Sequence, residues 1–100
     1  MAKNFNEAVS ELKSYMISSG DAWKDWYVGI AADARKRLFN DHAVNEKTDL
    51  WIYRQCINST FARQVEDYFV DSLVTKGDKG GGDDSTVYVY AYKISSHSRE

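Results

Sequence analysis

Tyr27-Val28-Gly29-Ile30 begins the stretch that decides the fold, and it continues through Ala31-Ala32 to Asp33. The first four residues predict a short strand that ends near the glycine, and the two alanines predict a small turn. Asp33 is a typical residue for capping a helix, because its carboxylate accepts a hydrogen bond from an N–H group of the first turn. We therefore predict a strand over 27–30, followed by a basic helix from Asp33 to about Asn40.

Apolar residues recur at helical spacing in two further segments. The first segment predicts an amphipathic helix over about 5–18, and the second predicts a helix over about 61–73 with Ser59 or Thr60 as its cap. The apolar residues are Phe5, Ala8, Val9, Leu12, Tyr15 and Met16 in the first helix and Phe61, Val65, Tyr68, Phe69 and Leu73 in the second.

Two more strands are predicted from the rest of the chain. The apolar run 50–57 predicts one of them, and the clearest alternation in the chain, over 86–92, predicts the other. Tyrosines at 88, 90 and 92 alternate there with smaller apolar residues. Residues 76–85, which lie before this strand, are rich in glycine and typical of a flexible loop.

The order helix, strand, helix, strand, helix, strand favours a single domain over 1–100. Its class is α/β (α+β), with a small three-stranded mixed sheet flanked by helices. One hundred residues, of which 43% are hydrophobic, suffice for a modest core, in which we expect the lone Cys56 to lie. The apolar runs are far shorter than the roughly 20 residues that span a bilayer, so we expect a cytoplasmic protein without a membrane partner.

The net charge of −2 argues against strong nonspecific binding to nucleic acid, which depends on many cations that neutralise phosphates. The basic residues are nevertheless unevenly placed, because Arg35, Lys36, Arg37 and His42 fall close together. Such a local patch is able to bind one phosphate on an acidic protein. We predict nucleic-acid contacts for Arg35, Lys36 and His42.

Three residues supply the types that phosphodiester hydrolysis requires. Tyr27 has a hydroxyl that can act on the attacking water, Arg37 has a cation that can stabilise charge on phosphate, and Glu66 has a carboxylate that can hold a metal ion. The two nearest in sequence, Tyr27 and Arg37, are expected on a strand and on the helix after it. Whether Glu66 converges with them in the folded protein decides the question, because three correct residue types scattered over the surface cannot form a site.

Tyr27-Val28-Gly29, Arg37 ten residues after the tyrosine, and Glu66 in Ala62-Arg63-Gln64-Val65-Glu66 resemble the second half of the GIY-YIG nuclease domain over roughly residues 26–70. The resemblance implies a GIY-YIG-like fold and a hydrolase that cleaves DNA or RNA. Tyr27, Arg37 and Glu66 would be its catalytic residues, with Mg²⁺ held by Glu66. The first motif of that family, Gly-Ile-Tyr, does not precede Tyr27.

Other interpretations stay open at this point. A catalytically inactive relative would act as a nucleic-acid or protein binding module, with Trp23 and Trp26 as an aromatic surface for a protein partner or a second copy of the chain. The tyrosines of the last strand, with Trp51 and Tyr53, would form either a platform for unpaired bases or a face covered by a helix. Glu66 would alternatively pair with Arg63 on an exposed helix surface.

Overall fold

A computed structural model describes residues 2–77 and 82–100. Its two main helices are α1 (Phe5–Ser18) and α2 (Ser59–Asp67). Its strands are β1 (Trp26–Ala31), β2 (Trp51–Gln55) and β3 (Tyr88–Lys93). A 3₁₀ turn, Trp23–Asp25, precedes β1, and a π-helical turn, Tyr68–Ser72, extends α2. The basic helix is also of π type, over Lys36–Asp41.

The three strands form one sheet in the order β1-β3-β2, so the last strand of the chain lies in the middle. This confirms an α+β domain with one three-stranded sheet. The prediction of a mixed sheet was wrong, because β3 pairs antiparallel with both neighbours. Among the described residues, parallel pairing is limited to two single-residue bridges, Lys3 with Cys56 and Tyr27 with Lys76. Each bridge lies at an outer edge of the sheet and partly covers it.

Helices cover both faces of the sheet. Val28, Ile52, Val89 and Ala91 face α1 and α2, where they pack in one core that also contains Cys56. Burial raises the pKa of the Cys56 thiol to about 11, as expected for an inert core cysteine. Alternate residues along the strands face the other way and pack against the basic helix; these are Tyr27, Tyr90 and Tyr92, with Leu38 and Val44 opposite them.

Helix caps explain where the elements begin. Asn4 and Glu7 form a reciprocal capping box at α1. The cap of α2 is Asn58, whose Oδ1 accepts from the N–H of Phe61 at 2.8 Å, so the predictions of Ser59 and Thr60 as caps were wrong. Asp33 Oδ1 accepts from the N–H of Lys36 at 3.1 Å, which confirms its predicted role.

Two further predictions meet the structure only in part. Trp26 is fully buried, so it cannot belong to an aromatic surface for a protein partner. The glycine-rich loop predicted over 76–85 includes residues 78–81, which lie outside the described residues. Within the described part of the chain, no helix is long and apolar enough to cross a membrane.

Candidate active site

A cavity of about 450 Å³ opens beside β1, and the three predicted catalytic residues all line it. We call it the cleft. Tyr27 reaches it from β1, Arg37 from the basic helix and Glu66 from α2. The cleft is also lined by Lys36, Asp33 and Tyr90.

Tyr27 lies on the sheet face that the basic helix covers, and only 5% of it is exposed. Its ring stacks on that of Tyr92, its register partner on β3, with centroids 5.2 Å apart. The ring of His42 lies 4.7 Å away on the basic-helix side. These contacts hold the tyrosine ring in one place at the wall of the cleft.

Arg37 lines the cleft together with a second cation, Lys36, and its side chain remains half exposed. Its Nε lies 3.4 Å from the Asp41 carboxylate, one helical turn on. Burial lowers the pKa of Arg37, but interactions with Tyr90, Asp41 and Tyr27 outweigh that effect and raise its pKa above the usual value. The guanidinium therefore keeps its charge at any ordinary pH and is directed at the two tyrosines of the cleft.

Glu66 is buried, with 2% of its surface exposed, although α2 is an amphipathic helix with charged neighbours. It does not lie on an exposed helix surface, as the alternative of a surface pair with Arg63 required. Its negative charge disfavours the ionised form of Tyr90 and so helps to raise the pKa of that tyrosine. A carboxylate at the wall of a cavity that Arg37 also lines has the chemistry to hold a hydrated divalent cation.

Tyr90 is the cleft residue that the sequence did not predict as part of the site. Its ring lies across Gly29, its register partner, and a Cβ on that glycine would be 2.5 Å from the Tyr90 hydroxyl. Only glycine therefore lets the Tyr90 ring pack this closely against β1. Burial is the largest of the effects that raise the pKa of Tyr90, and the charge of Arg37 opposes it.

His42 stands behind Tyr90 and is 3% exposed, so it does not contact nucleic acid directly as predicted. Its Nδ1 lies 2.5 Å from the carbonyl oxygen of Arg99, which can only accept, so Nδ1 carries the proton and donates. Nε2 then accepts from the Tyr90 hydroxyl at 2.8 Å. Burial, helped by the charge of Arg37, lowers the pKa of His42 and favours this neutral form.

The side chains of the predicted basic patch do not all point to the same place. Lys36 lines the cleft with Arg37. Arg35 turns away, because its guanidinium binds the Glu46 carboxylate at 2.7 Å and lies over the rings of Phe39 and Trp51. Two adjacent cations are therefore directed at one cavity, and the third lies beside an aromatic surface.

Metal ligands are few at this site. Across residues 2–77 and 82–100, no three side chains of His, Cys, Asp or Glu are grouped so that they could bind a metal ion together. Among the described residues, Glu66 and Asp33 are the carboxylates that line the cleft. This donor set fits Mg²⁺, which is commonly held by one or two carboxylates, several waters and a substrate phosphate, and it does not fit a closed structural zinc site.

Comparison of the chain with protein-family models, with curated proteins and with solved structures gave no match. Interpretation of the cleft therefore depends on its own geometry and chemistry.

Proposed function

We propose that the cleft is the active site of a Mg²⁺-dependent endonuclease that cleaves phosphodiester bonds. The observation that carries this proposal is the convergence of Tyr27, Arg37 and Glu66 on one cavity from three separate elements. Surface residues of these three types scattered over the protein could not form a site.

The cations position the phosphate. Lys36 and Arg37 line the same cavity, and Arg37 is able to donate two parallel hydrogen bonds to phosphate oxygens. Because that positive charge is present at every ordinary pH, it stabilises the extra negative charge of the transition state. Mg²⁺ held at Glu66 would neutralise charge on the phosphate and on the leaving oxygen.

Tyr90 and His42 accept the proton that the attacking water loses, and Tyr27 lies beside them. Tyr90 donates its hydroxyl proton to Nε2 of His42, so its oxygen can accept a proton from water as its own passes to the histidine. No free tyrosinate is needed in this relay, which suits a tyrosine whose pKa burial raises. Tyr27 stands on the neighbouring strand, with its ring packed against His42, and lines the same cleft.

A second candidate is a binding module that holds nucleic acid without cutting it. The observation in its favour is that Lys36 and Arg37 line the cleft together and would bind phosphate whether or not Glu66 holds a metal ion. Metal dependence separates the two functions, because phosphate binding by cations alone survives a chelator.

The test is cleavage of supercoiled plasmid, single-stranded and branched DNA, and RNA, with Mg²⁺ or with EDTA. We expect Mg²⁺-dependent cleavage that Glu66→Gln abolishes and that Glu11→Gln, a carboxylate of α1 paired with Lys3 and Arg54, leaves unchanged. Circular dichroism verifies that both variants are folded. Cleavage that persists in Glu66→Gln would remove this carboxylate from the mechanism, and binding without cleavage on every substrate would favour the second candidate.

A further inference from the structure

A second, smaller cavity lies beside the cleft on the same side of the sheet. Its volume is about 230 Å³, and it is lined by Ala32, Asp33, Ala34, Arg35, Tyr53 and Tyr88. We call it the aromatic pocket. This volume is below the roughly 300–1,000 Å³ of pockets for drug-sized ligands, so it has room for a single flat ring system.

Two tyrosines form a corner in this pocket. The rings of Tyr53 and Tyr88 are 6.0 Å apart and inclined at 71°, so a ring that stacks on one meets the edge of the other. Both side chains are half-buried, which leaves ring surface accessible from the pocket. Trp51 supports the corner from behind, because it stacks on Tyr53 with planes only 12° apart and is itself covered by the Arg35 guanidinium.

The pocket and the cleft share a wall. Ala32 and Asp33 line both cavities, and the consecutive residues Arg35, Lys36 and Arg37 divide between them. Arg35 borders the aromatic pocket, whereas Lys36 and Arg37 border the cleft. A ring site and a phosphate site therefore lie next to each other, as a base and its phosphate do in one nucleotide.

We propose that the aromatic pocket binds one unpaired base of a single-stranded nucleic acid, next to the phosphate held in the cleft. This inference rests on the proposed function, because it assigns a substrate class to that site. Stacking on aromatic side chains, with cations along the backbone, is how proteins hold single strands without reading their sequence. The aromatic pocket supplies the stacking side chains, and Lys36 and Arg37 in the adjacent cleft supply the cations.

The charges favour this orientation of the nucleotide. Lys36 and Arg37, which would hold the phosphate, line the cleft and not the aromatic pocket. The Asp33 carboxylate at the shared wall can accept from an N–H group of the base, such as an exocyclic amino group or N3–H of thymine or uracil. A base in a duplex is stacked and paired, and it would enter the pocket only after it had been flipped out at a cost of a few kcal/mol. Single strands, flaps and unpaired loops avoid that step and are the preferred substrates.

The test measures binding of a fluorescein-labelled oligothymidine of about 12 nucleotides by fluorescence anisotropy, at low ionic strength and in EDTA so that cleavage does not interfere. Oligouridine of the same length distinguishes DNA from RNA, and a duplex of the same length provides the comparison. We expect both single strands to bind more tightly than the duplex. Loss of one stacking ring in Tyr88→Ala or Tyr53→Leu should weaken single-strand binding about 5- to 150-fold.

Two further variants keep the result specific. Tyr88→Phe retains the ring and should restore binding. Tyr68→Ala removes a half-buried tyrosine that packs on Phe5 and lines neither cavity, and it should leave binding unchanged. Equal affinity for duplex and single strand, no effect of either pocket variant, or an equal loss in Tyr68→Ala would overturn the inference.

Failure of this inference and failure of the proposed function give different results. If the protein cleaves nucleic acid but shows no preference for single strands, the aromatic pocket is not a base site and the proposed function stands. If single strands bind through Tyr53 and Tyr88 but no substrate is cleaved with Mg²⁺, the aromatic pocket is correct and the endonuclease is not.

Discussion

Replacement of Gly29 by alanine tests whether the packing of Tyr90 against β1 builds the cleft. The added Cβ would lie 2.5 Å from the Tyr90 hydroxyl and 2.6 Å from its Cζ. Ordinary contact begins at 3.4 Å, so the ring must move by about 0.9 Å. The ring is 1% exposed and its hydroxyl is bound to His42 at 2.8 Å, so this movement breaks that hydrogen bond or spreads β1 from β3.

We expect Gly29→Ala to lower the free energy of unfolding by about 1–3 kcal/mol, the usual range for overpacking a tight core. For a domain of this size each kcal/mol corresponds to roughly 4–8 °C in Tm. Urea denaturation followed by circular dichroism measures the change. In the proposed nuclease, the cleavage rate should fall even under conditions where the variant is still fully folded, because the Tyr90 hydroxyl leaves its place in the proton relay.

A double-mutant cycle identifies the cause. If the clash with Tyr90 is responsible, Gly29→Ala should have much less effect in a Tyr90→Ala background, with a coupling energy of about 0.5–3 kcal/mol. Gly20→Ala is the control, because Gly20 has a positive φ of 79° and nothing lies within 4 Å of where an alanine Cβ would stand, so its effect should be the same in both backgrounds. A neutral Gly29→Ala, or equal losses with and without the Tyr90 ring, would refute the steric argument.

Four other outcomes follow from contacts described above. Asn58→Ala removes the cap of α2 and should destabilise the domain by about 0.5–2 kcal/mol in urea denaturation. Leu12→Ala, at a fully buried position, should destabilise it by about 2–5 kcal/mol. The folded pKa of His42 is lowered, so the unfolded chain binds its proton first and stability should fall as the pH drops below about 6.5; His42→Gln should flatten that slope. Native Cys56 should resist a disulfide-exchange reagent until urea exposes it.

Each of these expectations has an outcome that contradicts it. A neutral Asn58→Ala would mean that another group satisfies the first turn of α2, and a loss below about 1 kcal/mol for Leu12→Ala would mean that the core collapses around the gap. An unchanged slope in His42→Gln would assign the acid sensitivity to other groups. Fast labelling of Cys56 without denaturant would show that the core around it opens readily.

Local features of the fold were predictable from the sequence because they depend on residues close together in the chain. The helical spacing from Phe5 to Met16 and the alternation around Tyr90 each identified their element within a few residues. The cap of α2 was misassigned because Asn58, Ser59 and Thr60 are all good capping residues. Which of them caps the helix depends on where the backbone changes from extended to helical, and in the structure that residue is Asn58.

Strand order and burial depend on residues that are distant in the chain, so the sequence alone did not predict them. Sequence reasoning paired Tyr27 with Arg37 and Glu66 by residue type, and all three line the cleft. It did not find Tyr90, because nothing local shows that β3 lies beside β1. A glycine in one strand and a tyrosine in another were the available signal, since close approach of an aromatic ring requires a position without a side chain. His42 follows polar residues and was expected at the surface, whereas the Arg99 carbonyl and the Tyr90 hydroxyl satisfy its ring in the interior.

The central position of β3 also determines when the domain can fold during synthesis. β1 and β2 are not neighbours in the sheet, and β3, the strand with which both pair, is completed only at residue 93. At a synthesis rate of roughly 5–20 residues per second, β1 and β2 would wait several seconds on the ribosome before β3, their shared partner, was synthesised. Helices α1 and α2 can form early, but the sheet, and with it the cleft, would assemble in one late step that brings distant segments together. During that interval the exposed strands would be the part of the chain most open to pairing with other nascent chains.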